Sequence, residues 1–294
     1  MSPTAETFVS LMYHNVCELP ACGGTWPGFE NLSPSITDYF VDGGTFASHC
    51  ELIANSGNAM RADEFRATSP TASRPIAGRS RSSAAPRVLV TFDDGWRGTV
   101  DVAGPILASH GLHALLFVTT DLIGNPRFVD RTQLRELSKM FEIGSHARSH
   151  RLLAGLSDDE VRAELNDSKS LLEDLLDRDV DMIAYPGGSF DHRVLRMTRQ
   201  AGYRLVFTSQ PIVNDWSSAA SCIGRLAVKR GTSNDTIERW LRGDVRQERL
   251  RAFGLRATKH LLGRSAYRRL RSRLIAEDVA HLEMTDLAGS GRMG

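Results

Sequence analysis

The segment Val88-Leu-Val-Thr-Phe-Asp-Asp-Gly-Trp96 carries the strongest structural signal in this chain. Its apolar, β-branched start is typical of a buried strand, and it ends abruptly in two adjacent carboxylates and a glycine. Two like charges side by side are unfavourable unless a cation or a proton separates their roles. The pattern therefore predicts a strand that delivers Asp93 and Asp94 to the rim of a sheet.

Strand and helix patterns alternate after this segment. The strand-like runs are 88–92, 114–118, 142–144, 182–185 and 204–208. A capping-box sequence, Ser157-Asp-Asp-Glu160, predicts the start of a long amphipathic helix that runs through Leu176. Such alternation predicts an α/β fold with a parallel sheet, crossover helices and a barrel-like shape. The chemistry is then expected at the carboxyl ends of the strands.

Length and composition are those of an ordinary globular protein. The chain has 294 residues, 41% hydrophobic and 24% charged, with a formal net charge of +1, so the whole molecule carries no signal for binding polyanions. Its four cysteines form no Cys-x-x-Cys pair, which favours free thiols in a reducing compartment. Neither a secretory signal nor a membrane span is evident, so a cytoplasmic location is expected.

Three parts of the chain are distinguished by composition. Residues 1–243 are predicted to form one catalytic domain, with a strand at 8–14 and a long loop at 15–44. Residues 66–87 are rich in Ser, Ala, Arg and Pro, which predicts a mobile insertion.

Residues 244–294 carry an arginine-rich run with leucines interspersed, which predicts a tail of basic amphipathic helices. This tail is either a solvated helix face packed on the barrel or a contact to an anionic membrane surface or a lipid-phosphate-linked substrate. Nucleic-acid binding is not expected, since interleaved aromatic residues and a recognised motif are both missing.

A second chemical signal is Ile143-Gly-Ser-His-Ala-Arg-Ser-His150, which follows the Asp-Asp pair by about fifty residues. On a helix, His146 and His150 would share one face and could bind one cation. Zinc proteases place a glutamate directly after the first histidine, but this chain has Ala147 there. One aspartate would complete a three-ligand metal site, and the other would act as a base. Capping by the aspartates and a surface position for the histidines are the alternatives.

Together these motifs resemble the polysaccharide deacetylase family, the carbohydrate esterases with a nodulation-type deacetylase domain. The family's Thr-Phe-Asp-Asp-Gly motif is intact at 91–95, and its His-(Ser/Thr)-x-x-His motif corresponds to 146–150. The third motif is similar to Ala184-Tyr-Pro-Gly-Gly-Ser-Phe-Asp191. The resemblance covers roughly residues 88–230 and implies a deformed (β/α) barrel.

The resemblance also implies roles for individual residues. Asp93 would be the general base, and the Gly187 backbone N–H in the Pro186-Gly187 loop would donate to the oxyanion. The implied metal ligands are Asp94, His146 and His150. The predicted substrate contacts are Tyr185, Pro186, Trp96 and Arg225, and structural pairing is the alternative for Arg225. Members of the family typically use one divalent ion. Zn²⁺ is expected here, and Co²⁺, Ni²⁺ or Fe²⁺ would also suit this ligand set.

Two positions depart from the family pattern. Ala184 replaces the arginine that usually orients the base, and the late Leu-x-His motif is replaced by Gly224-Arg-Leu-Ala-Val228. However, Leu11-Met-Tyr-His14 is similar to the acid-bearing strand of a circularly permuted branch of the family. His14 is therefore predicted to protonate the leaving amine.

The predicted function is metal-dependent hydrolysis of an N-acetyl group on an amino sugar, which is part of an oligosaccharide, a lipid-linked sugar or a small glycoside. Ala184 and the missing late histidine motivate one alternative, a sugar-binding pseudoenzyme. Cleavage of an O-acetyl ester or a cyclic amide is another.

Overall fold

Alternate residues of the central strands face opposite sides of a curled sheet in the computed structural model. The model describes residues 7–23, 25–61, 64–65, 85–215, 222–255 and 282–290. The strands are β1 Thr7–Tyr13, β2 Asn15–Cys17, β3 Phe40–Asp42, β4 Arg87–Phe92, β5 Ala114–Val118, β6 Phe141–Ser145, β7 Met182–Ala184, β8 Leu205–Phe207, β9 Asn214–Asp215 and β10 Leu226–Ala227.

Seven strands run parallel in the order β10-β1-β4-β5-β6-β7-β8, and the short β9 pairs antiparallel with β1. A single bridge between Phe207 and Ile223 connects β8 to the residues just before β10. The sheet therefore curls into a partly closed barrel, and the prediction of a deformed (β/α) barrel is confirmed.

Helices pack on the outer face of the sheet and around the rim where the strands end. They are α1 Pro34–Thr37, α2 Gly43–Asn55, α3 Gly104–Ser109, α4 Arg131–Leu137, α5 Asp158–Leu176, α6 His192–Gln200, α7 Asn234–Leu241 and α8 Met284–Ser290, and residues 246–255 are also helical. A π-helical turn, Thr99–Ala103, leads into α3, and 3₁₀ turns occupy Thr120–Leu122, Leu153–Gly155 and Pro186–Gly188.

The alternation within β4 divides the core into two layers. Val88, Val90 and Phe92 pack outward in the large cluster under the helices, whereas Leu89 lies in a smaller cluster inside the barrel. The inward row continues past the end of the strand to Asp93, because strand side chains repeat every two residues. Strand periodicity thus aims one carboxylate of the Asp-Asp pair at the interior.

Local helix signals match the structure well. Ser157 and Glu160 form the predicted capping box, and α5 ends at Leu176 as expected. The prediction of an unbroken loop over 15–44 was wrong, since this stretch contains β2, α1 and β3. Short elements of three or four residues leave little periodicity to detect.

Most of the predicted insertion at 66–87 lies outside the described residues, and its last residue, Arg87, begins β4. The predicted tail at 244–294 is described only at 244–255 and 282–290, and its separation from the catalytic domain stays a prediction. Among the described helices, none is both long and apolar enough to cross a membrane.

Candidate active site

The groups predicted for catalysis follow four strands at one rim of the sheet. Parallel strands end at the same rim, so residues that are distant in the sequence meet there. These groups are His14 after β1, Asp93 and Asp94 after β4, His146 and His150 after β6, and Gly187 after β7. All of them line one cleft with a volume of about 540 Å³.

Asp94, His146 and His150 form a group with the geometry of a metal site. Their nearest ligand atoms lie within 4.8 Å of one another. Asp94 Oδ1 is 3.4 Å from His146 Nε2 and 3.3 Å from His150 Nε2. One oxygen and two imidazole nitrogens make a three-ligand set that leaves a position open, as catalytic zinc sites do.

The segment that carries the two histidines is a loop, and the helix predicted at this point was wrong. Ala147 and His150 both adopt left-handed backbone conformations, with φ of 61° and 60°. The backbone N–H groups of Arg148 and Ser149 each donate to Glu164 Oε2 on α5, at 2.9 Å. The loop therefore turns back on itself, and both imidazoles reach Asp94 without helical spacing.

Two observations on the polar atoms fit a bound cation. Asp94 Oδ1 is buried and has no hydrogen-bond donor within the described structure. His146 Nδ1 lies 2.8 Å from the Ala184 carbonyl, so this nitrogen carries the proton and Nε2 presents a lone pair toward Asp94. Burial lowers the pKa of His146 to about 4, which keeps the imidazole neutral as a ligand.

The pKa values of the other two ligands move in the directions expected for opposite charges in contact. Burial by itself would raise the pKa of Asp94, but the neighbouring histidines, His150 foremost, lower it well below its usual range. Burial likewise opposes the charged form of His150, but Asp94, with the charges of Asp93 and Glu164, raises the pKa. The carboxylate of Asp94 is thus ionised and available to a cation.

Trp96 holds the second oxygen of Asp94. Its indole Nε1–H donates to Asp94 Oδ2 at 2.9 Å, and its side chain is fully buried although it borders the cleft. Trp96 was predicted as a substrate contact, and the structure instead places its one polar atom on a candidate ligand. Such partners orient metal ligands and tune their affinity.

Arg225 lies on the far side of Asp93 and forms a bidentate ion pair with it. Its two terminal nitrogens donate to Asp93 Oδ1 and Oδ2 at 2.6 and 2.8 Å. Both residues are buried, with exposures of 1% and 2%. Burial would raise the pKa of Asp93, but the charge and hydrogen bonds of Arg225 together with the nearby histidines lower it.

The remaining contacts of Arg225 show how it is held inside the barrel. Its Nε–H donates to the Thr208 carbonyl at 3.2 Å, and its guanidinium carbon lies 5.4 and 5.9 Å from the ring centres of Phe117 and Phe207. Arg225 does not line the cleft. Of the two roles considered for Arg225, the structure shows the pairing role, because the residue contacts Asp93 and not the cleft.

His14 directly follows the last residue of β1 and borders the same cleft. Its ring centre is 4.5 Å from that of Tyr39, and its Nδ1 is buried with no hydrogen-bond partner in the described structure. Burial lowers the pKa of His14, while the charges of Asp94 and Asp93 act in the opposite direction. The predicted acid thus faces the candidate base and ligands from another strand.

Among the residues of the third motif, only Gly187 lines the cleft. Its φ is 59°, a left-handed conformation that glycine adopts at the lowest cost. Tyr185 is fully buried and its hydroxyl donates to Thr198 Oγ1 at 2.8 Å. Pro186 is buried too and, like Tyr185, lies away from the cleft. The substrate contacts predicted for Tyr185 and Pro186 are therefore not supported.

Several residues of the cleft carried no recognisable motif. They are Ser35, Tyr39, Leu152, Ser209, Glu283 and Thr285. Glu164, which holds the histidine loop, was also missed. Its position on α5, four residues after Glu160, looked like an ordinary amphipathic helix position, and only the fold brings it to the loop.

The sequence itself matches a known family over the region that forms this site. Residues 80–206 match the family model described as polysaccharide deacetylase. Over these residues the chain is similar to the polysaccharide deacetylase family. The residues matched include the Asp-Asp pair and both histidines, so the similarity rests on the part of the chain that builds the cleft.

Two curated relatives match parts of the chain. YxkH of Bacillus subtilis (strain 168), by its name a candidate polysaccharide deacetylase, is 28% identical over 151 residues, which cover 51% of this chain and 54% of that protein. An uncharacterized 30.6 kDa protein of Geobacillus stearothermophilus is 27% identical over 131 residues, or 44% of this chain and 48% of that protein. The chain thus spans about half the length of the curated relatives it matches.

Solved structures share the fold over most of the described chain. The Streptococcus pyogenes deacetylase PplD, solved in complex with acetate, has a TM-score of 0.65 and 21% identity, with 81% of this chain and 99% of that chain covered. A de-N-acetylase from Aggregatibacter actinomycetemcomitans has a TM-score of 0.65 and 19% identity, with 80% and 100% covered. At these identities the likeness shows a shared fold.

Proposed function

We propose that this protein is a metal-dependent carbohydrate N-deacetylase. The observation that carries the proposal is the joint placement of three candidate ligands, Asp94, His146 and His150, in one cleft with Asp93, whose carboxylate pairs with the buried Arg225. The similarity to the family supports carbohydrate deacetylation, and the donor set supports a divalent ion such as Zn²⁺.

Each residue of the site would have a separate role in the reaction. A divalent ion held by Asp94, His146 and His150 would lower the pKa of a water molecule and polarise the acetyl carbonyl. Asp93, kept ionised by Arg225, takes a proton from the attacking water. The Gly187 N–H donates to the oxyanion, and His14 protonates the nitrogen that leaves as an amine.

Arg225 and His14 favour an enzyme over a pseudoenzyme. The pseudoenzyme reading rested on Ala184 and on the missing late histidine. Arg225 supplies a bidentate cation to Asp93 from a different strand, and His14 supplies an imidazole to the cleft from β1. Both chemical groups that the motifs lacked are therefore present in the site.

The decisive experiment measures acetate release from N-acetylglucosamine oligomers with added metal and with a chelator. Asp93→Asn is expected to lower turnover by about 10²–10⁴-fold, because the base is lost, while metal binding measured by calorimetry is retained. Asp121→Asn is a matched control, since Asp121 pairs with Arg148 outside the cleft. Normal turnover by the Asp93→Asn variant would contradict the base assignment.

The same assay separates the hydrolase alternatives. Matched O-acetyl and N-acetyl saccharides are compared at equal concentration, and release from the N-acetyl substrate is expected to dominate. Exclusive release from the ester would replace the amide reaction with ester cleavage. Binding of the oligomers without release by folded, metal-loaded protein would restore the pseudoenzyme reading.

A further inference from the structure

The last described segment of the chain, residues 282–290, packs beside the cleft. Leu282 pairs with the chain before α1 through two backbone hydrogen bonds: its N–H donates to the Asn31 carbonyl at 2.9 Å, and the Ser33 N–H donates to the Leu282 carbonyl at 3.1 Å. The segment is thus joined to the part of the chain that forms the other side of the cleft mouth.

Apolar packing anchors this segment on the catalytic side of the barrel. Met284, Leu287 and Ala288 are about 95% buried or more, in one cluster with Phe40 and Trp96. Trp96 donates a hydrogen bond to Asp94, so α8 packs against a residue that holds a candidate metal ligand. Burying these side chains removes apolar surface from water, which stabilises the contact.

Polar groups of the same segment face the cleft. Glu283 and Thr285 line it together with Ser35 of α1. Ser35 Oγ–H donates to Glu283, 3.1 Å from Oε2 and 3.4 Å from Oε1. The carboxylate therefore has a defined position opposite the catalytic residues.

The charges around the cleft give Glu283 a distinct effect. No lysine or arginine lines the cleft among the residues that the structure describes. Of the three lining carboxylates, Asp93 is neutralised by Arg225, and Asp94 belongs to the candidate ligand set. Glu283 is the remaining lining carboxylate that can interact with a bound ligand, and it repels anionic ligands.

We propose that residues 282–290 form a substrate-binding wall in which Glu283 is a specificity-determining residue that selects uncharged saccharides over saccharides bearing carboxylates. The proposal rests on the deacetylase function and names the class of sugar chain that this site accepts. Like-charge juxtaposition is a common way to reject a wrong ligand without a new attractive contact.

The test compares two acetylated oligosaccharides with the same backbone. One is the uncharged N-acetylglucosamine tetramer, and the other carries lactyl carboxylates on alternate sugars. In wild-type protein, kcat/KM is expected to favour the uncharged oligomer. Glu283→Gln is expected to raise the anionic-to-neutral ratio about fivefold to tenfold, and Glu283→Lys further. Glu136→Gln, which removes an exposed carboxylate outside the cleft, should leave the ratio unchanged.

A binding measurement keeps this test independent of turnover. The dissociation constants of both oligosaccharides are measured by calorimetry in Asp93→Asn, with and without Glu283→Gln. Wild-type protein could release no acetate while the ratio of the two dissociation constants shifts as expected. In that case the deacetylase proposal fails and the proposed role of Glu283 is confirmed. An unchanged anionic-to-neutral ratio in both Glu283 variants would contradict the proposed substrate-binding wall. No binding of either oligosaccharide would contradict it as well.

Discussion

Arg225 shows how a buried carboxylate acquires its counter-charge in this molecule. A lone charge inside a barrel of apolar side chains would be strongly unfavourable, and the fork of a guanidinium satisfies both oxygens of Asp93 at once. The aromatic faces of Phe117 and Phe207 lie beside the cation. The two charges are therefore stable only as a pair.

Replacing Arg225 with methionine is expected to lower the free energy of unfolding by about 3–5 kcal/mol, because Asp93 is left as an unpaired buried charge. Chemical denaturation measures the change. The double variant with Asp93→Asn should recover part of the loss, since the buried charge is then removed as well.

Arg162→Ala is the control for this prediction. Arg162 pairs with Asp159 at the surface, with both side chains more than half exposed, so its removal should change the stability little. Equal destabilisation by Arg225→Met and Arg162→Ala would show that the buried ion pair contributes no more to the free energy of unfolding than the surface pair does.

At the level of elements, α5 supports the histidine loop. Glu164 is 5% exposed and accepts the N–H groups of Arg148 and Ser149, and the Ser149 hydroxyl also donates to it. One side chain thus replaces the backbone partners that a helix would have provided. This contact fixes the loop between His146 and His150.

Glu164→Ala is expected to weaken metal binding by about 10–100-fold, because the loop that presents His150 loses its anchor. Calorimetric titration with Zn²⁺ measures the affinity. Asp167→Ala is a matched control on the same helix, since Asp167 pairs with the Arg148 side chain at the surface and not with the loop backbone in the described structure. A Glu164→Ala variant that binds metal as tightly as wild type would show that the loop holds its shape without α5.

At the scale of the whole molecule, the two ends of the described chain meet at one cleft. His14 follows the first strand, and Glu283 lies in the last described segment, yet both line the cleft. The sheet order, which places β1 between β10 and β4, brings the early part of the chain beside the Asp-Asp motif. The cleft is therefore a property of the entire fold.

Binding of a divalent ion is expected to stabilise the whole fold, because the folded chain gathers ligands that are separated when it unfolds. At a Zn²⁺ concentration about 100 times Kd, the gain is about 2.7 kcal/mol, visible as a rise in Tm that a chelator reverses. His146→Ala should abolish the rise, and His192→Ala, at an exposed position on α6, should keep it. The same rise in the His146 variant would place the ion elsewhere.

Local patterns determined a large part of this protein. The apolar run before Asp93 predicted β4 and the delivery of two carboxylates, and Ser157 with Glu160 predicted the start of α5. These features depend on residues close together in the chain, where strand and helix periodicity and capping act. The motifs around Asp94, His146 and His150 likewise predicted which side chains would gather, and the parallel strands gather them.

Tertiary structure alone decided the partners of these groups. The pairing of Arg225 with Asp93 joins residues 132 positions apart, and Glu283 meets Ser35 across 248 positions. The histidine loop replaced a predicted helix because Glu164 on α5 binds its backbone. Such contacts depend on how the sheet curls and where distant segments pack, and no short-range periodicity encodes either. The sequence determined the reactive groups, and the closure of the barrel decided what surrounds each of them.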